Sequence, residues 1–115
     1  MIKIKLIYPE PTDDDGFRIL VDRLWPRGLT KQKANVALWL KNIAPSTERR
    51  KWFGHDLNKW EQFFFKYSLE LEQNKELLNF IIKKGMRETV TLIHCSKDEA
   101  HNEAVILKAK ADKNV

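Results

Sequence analysis

The sequence predicts an α/β fold: a single small domain over residues 1–115, with a three-stranded or slightly larger mixed or parallel sheet covered by four to five helices. Three observations lead there. Short apolar runs of strand character occur at the N-terminus, near residue 20 and near residue 92. Amphipathic stretches with helical spacing fill most of the chain between the second and third runs. The third run passes straight into one more such stretch, giving the order strand, strand, helices, strand, helix of a layered fold.

Taken in order, Ile2, Ile4, Leu6 and Tyr8 alternate with Lys3 and Lys5, the period of a strand with one wet face, and Pro9 and Pro11 end it. Thr12 to Gly16 reads as an exposed acidic loop. Phe17 to Leu24 is expected to be a second strand with Phe17, Ile19 and Val21 on one face and Leu20 and Leu24 on the other, so it should be covered on both sides. Asp22 interrupts that second face, and a buried carboxylate requires a partner. Trp25-Pro26-Arg27-Gly28 is a turn by composition. A helix is expected over about Lys31 to Asn42, and a short one capped by Ser46 that ends at Gly54. Asn58 should cap the strongest helix, whose stripe is Trp60, Phe63, Phe64, Tyr67 and Leu71. Another helix covers Lys75 to Lys84, with Leu77, Leu78, Ile81 and Ile82 inward and Gly85 beyond its end. Thr89 to Cys95 is the third strand. Ser96 to Glu99 has the form of a capping box for a last helix with Ala100, Ala104, Leu107 and Ala111 on one stripe.

Composition narrows the class. A chain of 115 residues suits one domain, and six Phe, four Trp and two Tyr supply a core despite a lean apolar fraction of 43%. The one cysteine, Cys95, leaves no intrachain disulfide, which suits a reducing cytosol. No run approaches the roughly 18 apolar residues of a membrane span, and the charged N-terminus is unlike a signal peptide. The expected location is cytoplasmic, with no membrane partner. A net charge of +5 favours anionic partners: phosphates, nucleic acid or an acidic protein. The basic residues are spread along the chain; the densest runs are Arg49-Arg50-Lys51 and Lys83-Lys84 with Arg87.

In open sheets with parallel strands, ligands sit beyond the carboxyl ends of the strands. Two such ends carry polar groups: Asp22, Arg23, Trp25, Arg27 and Gly28 after the second strand, and His94 through His101 after the third. If these strands are parallel neighbours, the two clusters meet. The candidate ligand-binding set is therefore Asp22, Arg23, Trp25, Arg27, Trp52, His55, Lys97 and His101. Arg23 and Arg27 would be an anion clamp, Trp25 and Trp52 would be walls, and His101 or Asp98 would be the acid or base of any reaction. Each residue also has a structural reading: arginines paired with Asp22 or Glu99, tryptophans at core edges, Ser96 as a cap. His94-Cys95, five residues and His101 share the outline of the cysteine phosphatase loop. That loop carries an arginine where His101 stands, whereas Asp98 and Glu99 here would repel phosphate and raise the thiol pKa. Cys95 therefore reads as a small buried hydrophobe. The three histidines lack metal-ligand spacing, so neither a metal nor a cofactor is expected.

Leu20-Val21-Asp22-Arg23-Leu24-Trp25-Pro26-Arg27-Gly28-Leu29, Trp39-Leu40-Lys41, Ala44-Pro45-Ser46, Arg50-Lys51-Trp52-Phe53-Gly54-His55-Asp56 and Lys97 through Val105 together resemble the YeaO-like family, domain of unknown function 488. The resemblance spans nearly the whole chain and implies no established activity. It picks out polar residues at strand and helix ends, positions that more often carry function than core positions do, and it implies no fixed cysteine at Cys95. Broader relatives carry a Cys-His-Arg run near His101, where this chain has His101-Asn102-Glu103.

Three functions remain in competition. The first is a pocket for a small anionic ligand, with or without catalysis. The alternatives are a nucleic-acid-binding accessory protein using Arg49, Arg50, Lys51 and Lys83–Lys84, and a protein-interaction module using exposed aromatics. The oligomeric state is left open.

Overall fold

Every residue of the strand Val90–His94 (β4) is buried, because it lies inside the sheet with a parallel neighbour on each side. The computed structural model describes residues 1–113. Ile2–Leu6 (β1) runs along one edge of β4, pairing Ile2 with Val90 and Leu6 with His94. Phe17–Leu20 (β2) runs along the other, pairing Phe17 with Val90 and Leu20 with Ile93. Leu38–Trp39 (β3) adds a short outer strand to β2, and the sheet order is β1-β4-β2-β3 with every pairing parallel.

A parallel sheet is buried on both faces, which is why β2 and β4 carry apolar residues at successive positions. On one face Ile19, Val21, Val90 and Leu92 meet the helices Trp60–Gln73 (α3), Lys75–Arg87 (α4) and Glu103–Lys113 (α5) through Phe63, Tyr67, Leu71, Ile81 and Leu107. On the other, Ile7, Leu20 and Ile93 meet Ala34 of the one-turn helix Lys31–Ala34 (α1), with Trp25, Val36 and Trp39 around them. Thr47–Phe53 (α2) packs beside α3; the Ser46 hydroxyl accepts from the Arg49 N–H at its start and Gly54 closes it at φ 53°.

Five expectations change. The helix expected to Asn42 stops at Ala34, where Asn35 turns left-handed at φ 48°. The open edge of β2 then recruits the next residues as β3, with Ala37 N–H donating to Arg18 and Leu40 N–H to Leu20. Apolar spacing there served two faces of a sheet rather than one face of a helix. The strand expected to reach Leu24 ends at Leu20, and Leu24 is exposed. Helix α4 passes through Gly85 to Arg87 because the glycine lets Ile2 approach; a Cβ there would lie 2.8 Å from Ile2 Cγ1. The entry to α3 is held by Asp56, which accepts from the Asn58 N–H, rather than by Asn58 itself. The last helix begins at Glu103, seven residues beyond Ser96; Asn102 caps it by accepting from Ala104 and Val105 N–H at 2.9 and 3.2 Å.

The acidic loop is also not wholly exposed. Asp15 is only 4% accessible, gripped by Arg18 at 2.6 Å and Lys5 at 3.0 Å.

Candidate functional site

Because β2 and β4 are adjacent and parallel, their carboxyl ends open side by side. The segments that follow them touch: Cys95 N–H donates to Asp22 Oδ2 at 3.1 Å. Above this junction lies a cleft of about 200 Å³. Asp22 and Arg23 form one side and Cys95 and Ser96 the other. Arg50, Phe53 and His55 reach it from the end of α2, Phe63 from α3, and His101, Asn102 and Glu103 from the start of α5.

Each side chain is held by a local cause. Arg23 is stitched to the segment before α2, its Nε donating to Pro45 and its Nη2 to Ala44, both at 3.1 Å. That leaves the second terminal nitrogen of its guanidinium for the cleft. Arg50, in the last turn of α2, has no hydrogen-bond or ion-pair partner among the described residues. His101 stands edge-on to Trp60, with ring centroids 5.1 Å apart, and its Nδ1 lies 3.0 Å from Asp98 Oδ2. Asp98 also accepts from the N–H groups of Ala100 and His101 at 3.0 and 3.1 Å. Burial pushes Asp98 up, but these donors outweigh it and leave the carboxyl below its ordinary value.

The floor of the cleft is unusual. Asp22 Oδ1 is buried without a hydrogen-bond partner among the described residues, and the carboxyl of Glu103 lines the same cleft. Burial first, and the neighbouring Asp22 second, raise Glu103 well above the ordinary carboxylate range. Burial and then Asp22 likewise push the Cys95 thiol up. A thiol held that way is not the thiolate a nucleophile requires. Burial holds His94 below its ordinary value despite Asp22 and Glu99, and its Nδ1 accepts from the Ser96 N–H. Among the described residues no three histidine, cysteine or carboxylate side chains are grouped to hold a metal ion.

Of the eight residues expected at the site, Asp22, Arg23, His55 and His101 line the cleft. Trp25 does not; it packs edge-on to Trp39 at 5.4 Å beneath the other face, and its indole N–H donates to Leu29. Arg27 is exposed on its turn, and Lys97 is exposed beyond the rim. Trp52 packs against the main core with cations over its ring: Lys66 at 4.2 Å, Lys59 at 5.1 Å and Arg49 at 5.9 Å. Asp98 braces His101 from outside the cleft. Arg50, Phe53, Phe63 and Glu103 were not among the expected site residues. Two signals could have found some of them: the demand of Asp22 for a partner, and the place of Arg50, Phe53 and Glu103 in the segments that carry the family resemblance. A larger groove of about 540 Å³ between α3 and α5 is walled mainly by carbon from Trp60, Phe64, Phe65 and Leu69, with Glu61, Ser68, Lys113 and the ion-paired Glu72 and Lys110 completing its lining.

Fold and site together define a small parallel α/β protein whose strand-end cleft carries arginines, histidines and a carboxyl raised by burial, but no activated thiol. Residues 1–114 match the family described as the inactive DUF488-N3 subclade, and the chain belongs to it. It is 36% identical over 106 residues to the uncharacterized protein YeaO of Escherichia coli (strain K12), covering 92% of each chain. It is 33% identical over 106 residues to the uncharacterized protein Rv3073c of Mycobacterium tuberculosis (strain ATCC 25618 / H37Rv), covering 92% of this chain and 89% of the relative. No solved structure matches. No helix among the described residues is long and apolar enough to cross a membrane.

Proposed function

We propose that the protein binds a small anionic ligand in the cleft at the carboxyl ends of β2 and β4, and binds it without transforming it. The observation that carries this reading is Arg50: a guanidinium with no hydrogen bond or ion pair among the described residues, facing a cavity that Arg23 also lines and that Glu103 borders. Guanidinium forks suit carboxylate and phosphate oxygens. A volume of about 200 Å³ suits a small molecule rather than a polymer. The cations around Trp52, on the same helix as Arg50, raise the local positive field that steers anions inward. The protonated thiol of Cys95 and the family's description as inactive support binding over catalysis.

The test is a thermal-shift series with inorganic phosphate and simple carboxylates. At tenfold excess over its dissociation constant a ligand adds about 1.4 kcal/mol, which should raise Tm by several degrees in a domain this small. The Arg50→Ala variant should fold normally and lose most of the shift. If no compound stabilises the parent, or the variant responds equally, the cleft is not the binding site.

A second reading rests on Trp52. An aromatic ring ringed by Arg49, Lys59 and Lys66 has the make-up of a stacking platform for single-stranded nucleic acid. Binding there should weaken steeply with salt. A gel shift that is absent at low salt removes it.

A further inference from the structure

We propose that the ligand is a small zwitterion, with its ammonium group on the Asp22–Glu103 carboxyl pair and its anionic group on Arg50 and Arg23. The inference rests on the binding reading above and deepens it. Three observations carry it. The cleft is lined by groups of both signs: guanidinium donors at Arg23 and Arg50, carboxyl oxygens at Asp22 and Glu103. Asp22 Oδ1 is buried without a hydrogen-bond partner among the described residues, an acceptor left for a donor that a ligand could bring. Phe53 and Phe63 wall the same cavity, an apolar surface suited to a short carbon chain between the two charges.

The proton accounting follows from the pairing of two acids. In the free protein burial and the neighbouring Asp22 favour the protonated form of Glu103, because two adjacent carboxylates repel each other. An ammonium group brings its own positive charge and three N–H donors to the same oxygens. Glu103 then loses its proton to solvent: a protonated carboxyl and an incoming ammonium become a carboxylate–ammonium pair and one released proton. Binding should therefore release close to one proton, and the affinity should rise about tenfold per pH unit while Glu103 is protonated in the free protein and the amine is charged.

The groups around Glu103 are Asp22 and Arg23 beyond β2, Arg50 and His55 at the end of α2, Tyr67 on α3 and Cys95 after β4, with His101 just ahead of α5. Burial, and then the charges of Glu103 and Glu70, keep the Tyr67 hydroxyl far above its ordinary value, so it donates to the Ile43 carbonyl throughout. Burial does the same for the Cys95 thiol. The histidines are the remaining groups that could exchange protons near neutrality, so the Glu103→Gln variant serves to assign the released proton.

The experiment is titration calorimetry of the whole chain with glycine, β-alanine, 4-aminobutyrate and 6-aminohexanoate. Each is matched to its counterpart without the amine (acetate, propionate, butyrate, hexanoate), and all are run at two pH values in buffers of different ionisation heat. At least one amino compound should bind about tenfold more tightly than its counterpart and release close to one proton, and the counterpart should release none. Glu103→Gln, which cannot ionise, should abolish the release and make the affinity for the amino compound independent of pH over the range where the amine stays charged. If every amino compound binds no better than its counterpart, or binds without proton release, the zwitterion assignment fails while anion binding stands on the carboxylates alone. If the carboxylates also fail and Arg50→Ala changes nothing, both readings fall. Proton release that persists in Glu103→Gln would assign the proton elsewhere and overturn the proposal.

Discussion

Two buried carboxyl sites lie a few residues apart in sequence and are built in opposite ways. At the start of β2, Asp15 meets donors on every side: Arg18 at 2.6 Å, Lys5 at 3.0 Å, and the Thr12 N–H at 3.1 Å. Burial works against its charge, but these partners outweigh burial and hold the carboxyl well below its ordinary value. At the other end of the same strand, Asp22 meets one N–H group from Cys95 and the carboxyl of Glu103, which burial raises well above its ordinary value. The first site is closed: Arg18 is itself 3% accessible, and it spends its remaining donors on the carbonyls of Ala34 and Asn35. The second opens into a cleft. A satisfied buried charge is a fastening; an unsatisfied one beside a cavity is where a ligand has something to offer.

The largest effect expected from this contrast is at the fastening. Asp15→Ala leaves Arg18 charged and buried without its carboxylate, which should cost about 3–5 kcal/mol in urea denaturation. Asp22→Asn, which removes one of two facing carboxyls, should cost far less. Equal losses at the two sites would erase the distinction.

The pH dependence sharpens it, because the two sites act with opposite signs. Asp15 is depressed in the folded chain, so its stabilisation is present above the ordinary value of 3.8 and is lost as pH falls through the folded value. Glu103 is raised. Above the ordinary value of 4.5 the unfolded chain gives up a proton that the folded chain keeps, so stability declines as pH rises until the folded value is passed. Glu103→Gln should remove that decline. Relative to the parent, the variant should gain up to about 1.4 kcal/mol per pH unit above about pH 5, read from denaturation midpoints. A parent and variant that run parallel would mean that no proton is held there.

The smallest expected effect concerns the thiol between the two carboxyl ends. Burial and Asp22 keep Cys95 protonated, so iodoacetamide at pH 8 should label the folded chain at least about tenfold more slowly than the urea-unfolded chain. Rapid labelling in the folded state would restore the nucleophile that the site is argued to lack.

Much of the frame was legible beforehand, and for local reasons. The strands at β1, β2 and β4 announce themselves by period two or by apolar residues on both faces, and the α3 stripe of Phe63, Tyr67 and Leu71 is buried as its spacing demands. Ser46 and Gly54 bound α2 because capping chemistry depends on a few adjacent atoms. The errors cluster where a long-range contact overrides local preference: β3 forms because β2 has an open edge, and α4 runs through Gly85 because Ile2 packs against it. Half of the expected site fell outside the cleft for the same reason. Trp25 and Lys97 sit on the predicted strand ends, but their side chains are directed by packing on the other face or by solvent rather than by their place in the chain.

Sequence alone determined that this chain is a basic α/β domain of the YeaO-like family, and that Asp22 needs a partner, because composition, periodicity and solvation cost are properties of residues and their near neighbours. Only the tertiary structure decided which partner that is. Glu103 comes from a helix eighty-one positions away, and Arg50 from one that spacing could not orient toward the same cavity. The side-by-side parallel ends of β2 and β4 brought them together, since a parallel pair must be joined by a long crossover and therefore unites distant segments at one rim.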